Sequence, residues 1–144
     1  MNIVAFVIGI FVSIIVILRF RQTRLESRWF TYSLLLFTFP FYYLIFAVYG
    51  NDYAALPLEF FGGLPFFIIA LLALKFDAFY KFSLLAIGYI LHGLYDVTHH
   101  LFFINTGTPV WWPEFCGVID IIVGLYLLNL AFKSRAIDAK QVNK

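Results

Sequence analysis

The chain has 144 residues, 63% of them hydrophobic and 22% aromatic, with 12% charged and a formal net charge of +2. A soluble domain of this length is about 45–50% apolar and about 25% charged, so the composition excludes a water-soluble globule and indicates an integral membrane protein. The single cysteine, Cys116, excludes an intrachain disulfide, and the ten basic residues form short flanks with no basic face, which excludes nucleic acid as a partner.

Five apolar stretches are long enough for a hydrocarbon core of about 30 Å, which takes roughly 20 helical residues to cross. The expected fold is therefore all-α, a polytopic bundle of five transmembrane helices in a single domain over residues 1–144. The first span, 2–19, has no basic residue before it and arginines at and after its end, the pattern of an uncleaved anchor and not of a signal peptide. The second, 30–50, contains Pro40, where a kink is expected. The third, 57–75, opens on Pro57, where a first turn tolerates proline, and carries Glu59 in that turn with Gly62 and Gly63 just below. The fourth, 82–103, contains all three histidines of the chain within HGLYDVTHH. The fifth, 113–132, opens on Pro113 and Glu114 and carries Cys116 and Asp120 before the tail KSRAIDAKQVNK. The loop INTGTPVWWP before it reads equally as a lid or as an interfacial anchor.

Charge sets the expected orientation. Arg19, Arg21, Arg24 and Arg28 follow span one, Lys75 and Lys81 separate spans three and four, and Lys133, Arg135, Lys140 and Lys144 follow span five. Five spans put every one of these on the same side, which the positive-inside rule makes the cytoplasm, with the N-terminus outside and the C-terminus in the cytoplasm. A bacterial inner (cytoplasmic) membrane is the expected location. Trp29, Tyr80, Tyr49, Tyr53, Trp111 and Trp112 fall where interfacial aromatic residues belong.

The same topology gathers polar residues at one depth. On span four, His92, Asp96 and His99 fall within about 60° of one another at 100° per residue, with His100 off one edge. On span five, Asp120 lies near the level of Asp96, and Gly117, Asp120 and Gly124 share a face where small residues permit a close helix contact. Glu59 and Glu114 sit at the outer ends of their spans, whereas Glu26, Asp77 and Asp138 lie among the basic residues. An ionisable side chain at bilayer depth costs about 2.5–3.5 kcal/mol on insertion scales and marks function by default. With no lysine or arginine on that side, the compensation open to the cluster is proton sharing, histidinium–carboxylate pairing or a bound cation. Imidazole and carboxylate together suit a divalent transition metal, zinc ahead of iron or manganese. The ligand candidates are His92, Asp96, His99 or His100, and Asp120. Asp120 and Glu114 are the candidate acid–base groups, and Glu59 lies on the outer shell of the site.

HGLYDVTHH resembles the histidine boxes of membrane desaturases and hydroxylases, with Asp96, His99 and His100 reading as D-x2-H-H one turn after His92. Those enzymes carry several such boxes and this chain has three histidines in all, so the resemblance implies a metal held by helix-borne histidines near a membrane interface and no particular oxygen chemistry. The ligand inventory is also similar to that of the intramembrane zinc hydrolases of the alkaline ceramidase and adiponectin receptor type, whose spacing differs. Asp96 and His99 further resemble the helix motif of carboxylate di-metal bundles, which need it twice.

The function expected from this pattern is a metal-dependent hydrolase of a lipid or amphiphile. Its rivals are a proton or metal-ion transport protein and a subunit that binds lipid or a partner through the same cluster. Expected partners are membrane lipid, a small amphiphilic substrate and, where a dinuclear centre is shared, a second copy of the chain in a homo-oligomer.

Overall fold

A computed structural model describes residues 2–142. It contains five α-helices, α1 Ile3–Gln22, α2 Thr31–Tyr49, α3 Ala55–Ala73, α4 Ala78–Thr98 and α5 Trp112–Val142, with 3₁₀ turns at Leu25–Ser27 and His99–Leu101. α1, α2, α3 and the Trp112–Ile137 part of α5 are long and apolar enough to cross a membrane. These spans support an integral-membrane location. α4 falls short of that measure, carrying Lys81 near its start and His92 and Asp96 in its second half.

α4 explains itself once its two faces are separated. Leu85, Tyr89, His92, Asp96 and, just past the helix, His99 are buried, while Ile87, Leu91, Leu94 and Val97 are exposed. The polar groups point inward and the aliphatic ones outward, the reverse of a helix on a water-soluble protein. The helix packs along α5 and against α3, and α2 packs on α3. Tyr32, Leu36, Phe66, Leu85, Tyr89, Val123 and Leu127 form the core between these helices.

Local chemistry sets the ends. The Asn2 side chain caps α1 by accepting from the Ala5 amide at 3.0 Å. α2 closes on Gly50, and the chain reverses through Asn51 at φ 54°, a left-handed conformation that asparagine tolerates. α2 runs unbroken through Pro40 and α3 through Pro65. α3 begins at Ala55, two residues before the expected start, so Glu59 stands beyond the first turn. α5 continues ten residues past the expected limit of 132, because KSRAIDAKQV is rich in good helix formers and contains no glycine or proline.

Contacts at both ends show an up-and-down bundle. At one end Tyr126 donates to Glu26, and Arg135 lies over the Phe79 ring at 5.2 Å. At the other, the Thr106 amide donates to Asp52 at 3.1 Å and the Asn2 amide to Glu114 at 3.0 Å. Arg19, Arg21, Arg24, Arg28, Lys75, Lys81, Lys133 and Arg135 thus gather at the first end. The side chain of Lys140 and all of Lys144 lie outside the described residues. Asp52, Glu59, Asp96, Glu114 and Asp120 occupy the opposite half.

Candidate metal centre

The site is built on the seam between α4 and α5. Gly93 and Gly117 face each other there, and a Cβ placed on Gly93 would stand 2.7 Å from the Gly117 carbonyl oxygen. The small residues let the two backbones approach, and the close contact expected around Gly117, Asp120 and Gly124 is present. It brings Asp120 onto His92, with Nδ1 of His92 2.7 Å from Oδ2 of Asp120. One turn along α4, Oδ2 of Asp96 lies 3.5 Å from the same nitrogen. All three side chains are buried.

Asp96 is the informative member. Its Oδ1 accepts from the Tyr43 hydroxyl at 2.8 Å. Its Oδ2 is buried without a hydrogen-bond partner. A buried carboxylate oxygen without a hydrogen bond is costly, and this one lies 3.5 Å from Nδ1 of His92, beside Asp120. One ligand atom from each of the three residues lies within 4.8 Å of the others. Tetrahedral bonds of about 2.0–2.2 Å place ligand atoms roughly 3.3–3.6 Å apart. The Asp96 oxygen already stands at that distance from Nδ1, and the His92–Asp120 contact has to open by under about 1 Å. Two carboxylates and one imidazole, far from every described lysine and arginine, form a donor set whose charge a dication balances. A buried His/Asp cluster able to coordinate a divalent metal is therefore present in this helical, membrane-span-like chain.

The other sequence candidates fall elsewhere. His99 is buried and turns away from the triad, with Nε2 3.0 Å from Oε1 of Glu59. Glu59 also accepts from Asn105 Nδ2 at 2.6 Å and from the Tyr95 hydroxyl at 3.3 Å. His100 is exposed. Both histidines and Glu114 border a second pocket of about 300 Å³ beneath the 103–110 loop. Glu114, half-buried, accepts from the Asn2 amide and stands more than one turn of α5 above Asp120.

Tyr43 joins the two groups of polar residues. Its hydroxyl holds Asp96, its ring stacks on His99 at 4.4 Å and 13°, and its carbonyl accepts from Asn105 at 3.0 Å. Neither Tyr43 nor Asn105 is among the site candidates read from the sequence. Neither has a local signature, because each acts on partners more than forty residues away in the chain.

His92 and Asp120 also line a cavity of about 400 Å³ whose walls come from α1, α2, α4 and α5. Val12, Val16, Leu35, Phe39, Ile119 and Val123 are among its lining residues, and the half-buried Cys116 borders it. The chain matches no protein-family model, no curated protein and no solved structure.

Proposed function

We propose that this chain is a small integral-membrane, metal-dependent enzyme, a hydrolase of a lipid or amphiphilic substrate. His92, Asp96 and Asp120 are the metal ligands, and zinc is the preferred ion, since it binds a given nitrogen–oxygen site more tightly than iron(II) or manganese(II). The observation that carries the reading is the buried Asp96 carboxylate, whose Oδ1 is held by Tyr43 while its Oδ2 makes no hydrogen bond and lies beside His92 and Asp120. The five helices are read as five spans with the N-terminus outside and the C-terminus in the cytoplasm. The gathering of the described lysines and arginines at one end supports this; on this reading the site lies in the extracytoplasmic half.

A divalent ion with an open position supplies Lewis acidity and a nucleophile at neutral pH. The protein's own groups do the rest. Tyr43 fixes the Asp96 carboxylate, and the packed aromatic rings of Phe39 and Phe66 against His92, at 5.2 and 4.6 Å, keep bulk water from the imidazole. Asp120, 2.7 Å from His92, completes the three-residue ligand set from the facing helix. His99 and Glu59 act from outside this set by fixing the ring against which Tyr43 stacks.

Elemental analysis of the purified chain tests the reading. One equivalent of zinc is expected in the native protein and in His100→Ala, with most of it lost in Asp96→Ala and His92→Ala. No stoichiometric metal, or an unchanged content in Asp96→Ala, overturns it.

A further inference from the structure

The cavity beside His92 and Asp120 is lopsided in its chemistry. Its volume of about 400 Å³ lies within the range of small-molecule sites, about 300–1,000 Å³. Its walls are mainly valine, leucine, isoleucine and aromatic carbon, with Tyr42 and Cys116 at its edge, and its imidazole and carboxylate, His92 and Asp120, are both buried. Such a space matches a molecule with a long apolar body and one polar end.

The position of α1 gives the cavity an entrance. α1 packs along α5, where a Cβ on Gly9 would stand 2.7 Å from the Phe115 carbonyl oxygen. At its far end Phe20 meets the Tyr32 ring of α2 at 5.5 Å. Among the described residues α1 does not otherwise pack along α2. The space left between them is the cavity, faced by Val12 and Val16 on one side and Leu35 and Phe39 on the other. The outward surface of α1 around this gap, including Phe11, Ile14, Ile15 and Leu18, is exposed and apolar. What adjoins the gap in a membrane is lipid hydrocarbon.

We infer that the cavity binds one acyl chain of a membrane phospholipid, admitted sideways between α1 and α2, with the chain's carbonyl end drawn to His92 and Asp120. The inference rests on the metal-dependent reading for what happens at that carbonyl; the seating of the chain rests on the cavity itself. It gives the site a substrate class, acyl-bearing lipid, and a direction of approach within the plane of the membrane. Aqueous solution is not the route of entry.

The test uses the full chain in phosphatidylcholine nanodiscs doped with a phosphatidylcholine that carries a diazirine within one acyl chain. After irradiation, labelled peptides are mapped, and the metal content of the same sample is measured. The expected result is labelling of Val16, Leu35 and Ile119 about tenfold above that of the outward-facing Ile15 and Leu34, equivalent to ~1.4 kcal/mol of preference. Val16→Trp and Leu35→Trp fill the cavity from two different helices, and each is expected to remove this excess while zinc stays bound. Equal labelling of cavity and outward residues, or an excess that survives both substitutions, overturns the inference. Cavity labelling in a chain that holds no metal supports the acyl site and overturns the metal reading. Stoichiometric metal without cavity labelling does the reverse.

Discussion

His92 meets Asp120 across the α4–α5 seam with Nδ1 2.7 Å from Oδ2, at the level where Gly93 and Gly117 allow the two backbones to touch. The bond belongs to two helices at once, so its length is set by how closely those helices pack. Gly93→Ala places a methyl group 2.7 Å from a backbone oxygen that has no room to retreat. Overpacking of this kind costs about 1–3 kcal/mol. The expected outcome is a lower midpoint of thermal unfolding, followed by circular dichroism in one fixed detergent, together with reduced zinc content although no ligand has been changed. An unaltered melting curve would mean that the seam is slack.

Tyr43 holds the Asp96 carboxylate through a single hydroxyl at 2.8 Å. Tyr43→Phe keeps the ring that stacks on His99 and deletes only that donor, leaving Asp96 with His92 as its remaining polar neighbour on α4. Loss of a partner to a metal-binding side chain lowers metal affinity about 10–100-fold. Competition against a chelator of known zinc affinity measures it. A change confined to thermal stability, with affinity intact, would make Tyr43 a packing residue.

Glu59 and His99 form a separate buried pair at 3.0 Å, joined by Asn105 at 2.6 Å. Removing one member of such a pair costs about 3–5 kcal/mol, chiefly because the other is stranded. His99→Ala and Glu59→Ala are each expected to destabilise strongly, and the double variant by much less than their sum. Glu59→Gln, which retains an acceptor, is expected to lie close to the native protein. Zinc content per folded chain should not change in any of them. Zinc lost in step with His99→Ala would move that histidine into the metal centre.

The orientation has its own check. Cys116 is replaced by serine and single cysteines are introduced at the exposed positions Thr106 and Arg24, which lie at opposite ends of the bundle. A membrane-impermeant maleimide applied to intact cells is expected to label Thr106→Cys at once and Arg24→Cys only after permeabilisation. The opposite pattern would reverse the topology and put the site on the cytoplasmic side.

The sequence alone determined the number and order of the helices and the grouping of charge, because hydropathy, proline placement and helix propensity act over a few residues at a time. With an up-and-down order, the ends of α1, α3 and α5 must share a side, so the basic end and the acidic half were legible before any contact was known. The pairing of His92 with Asp96 was legible too, since residues four apart on a helix lie on one face. Apart from a few acidic residues, α1, α2, α3 and the membrane-length part of α5 are apolar on nearly every face, however, and such a helix carries little periodic signal of which face turns inward.

Rotation about each helix axis was therefore left to packing. The tertiary structure turned Asp120 onto His92 through the Gly93–Gly117 contact. It set His99 against Glu59 and left His100 exposed, at the point where the chain passes from α4 into a 3₁₀ turn. It also brought Tyr43 and Asn105 from distant segments into one network and held α1 away from α2 to leave the cavity. Each of these depends on side-chain volume and hydrogen bonding between elements far apart in the chain. The sequence placed the polar residues at one depth; helix rotation, fixed by close packing, chose which of them meet.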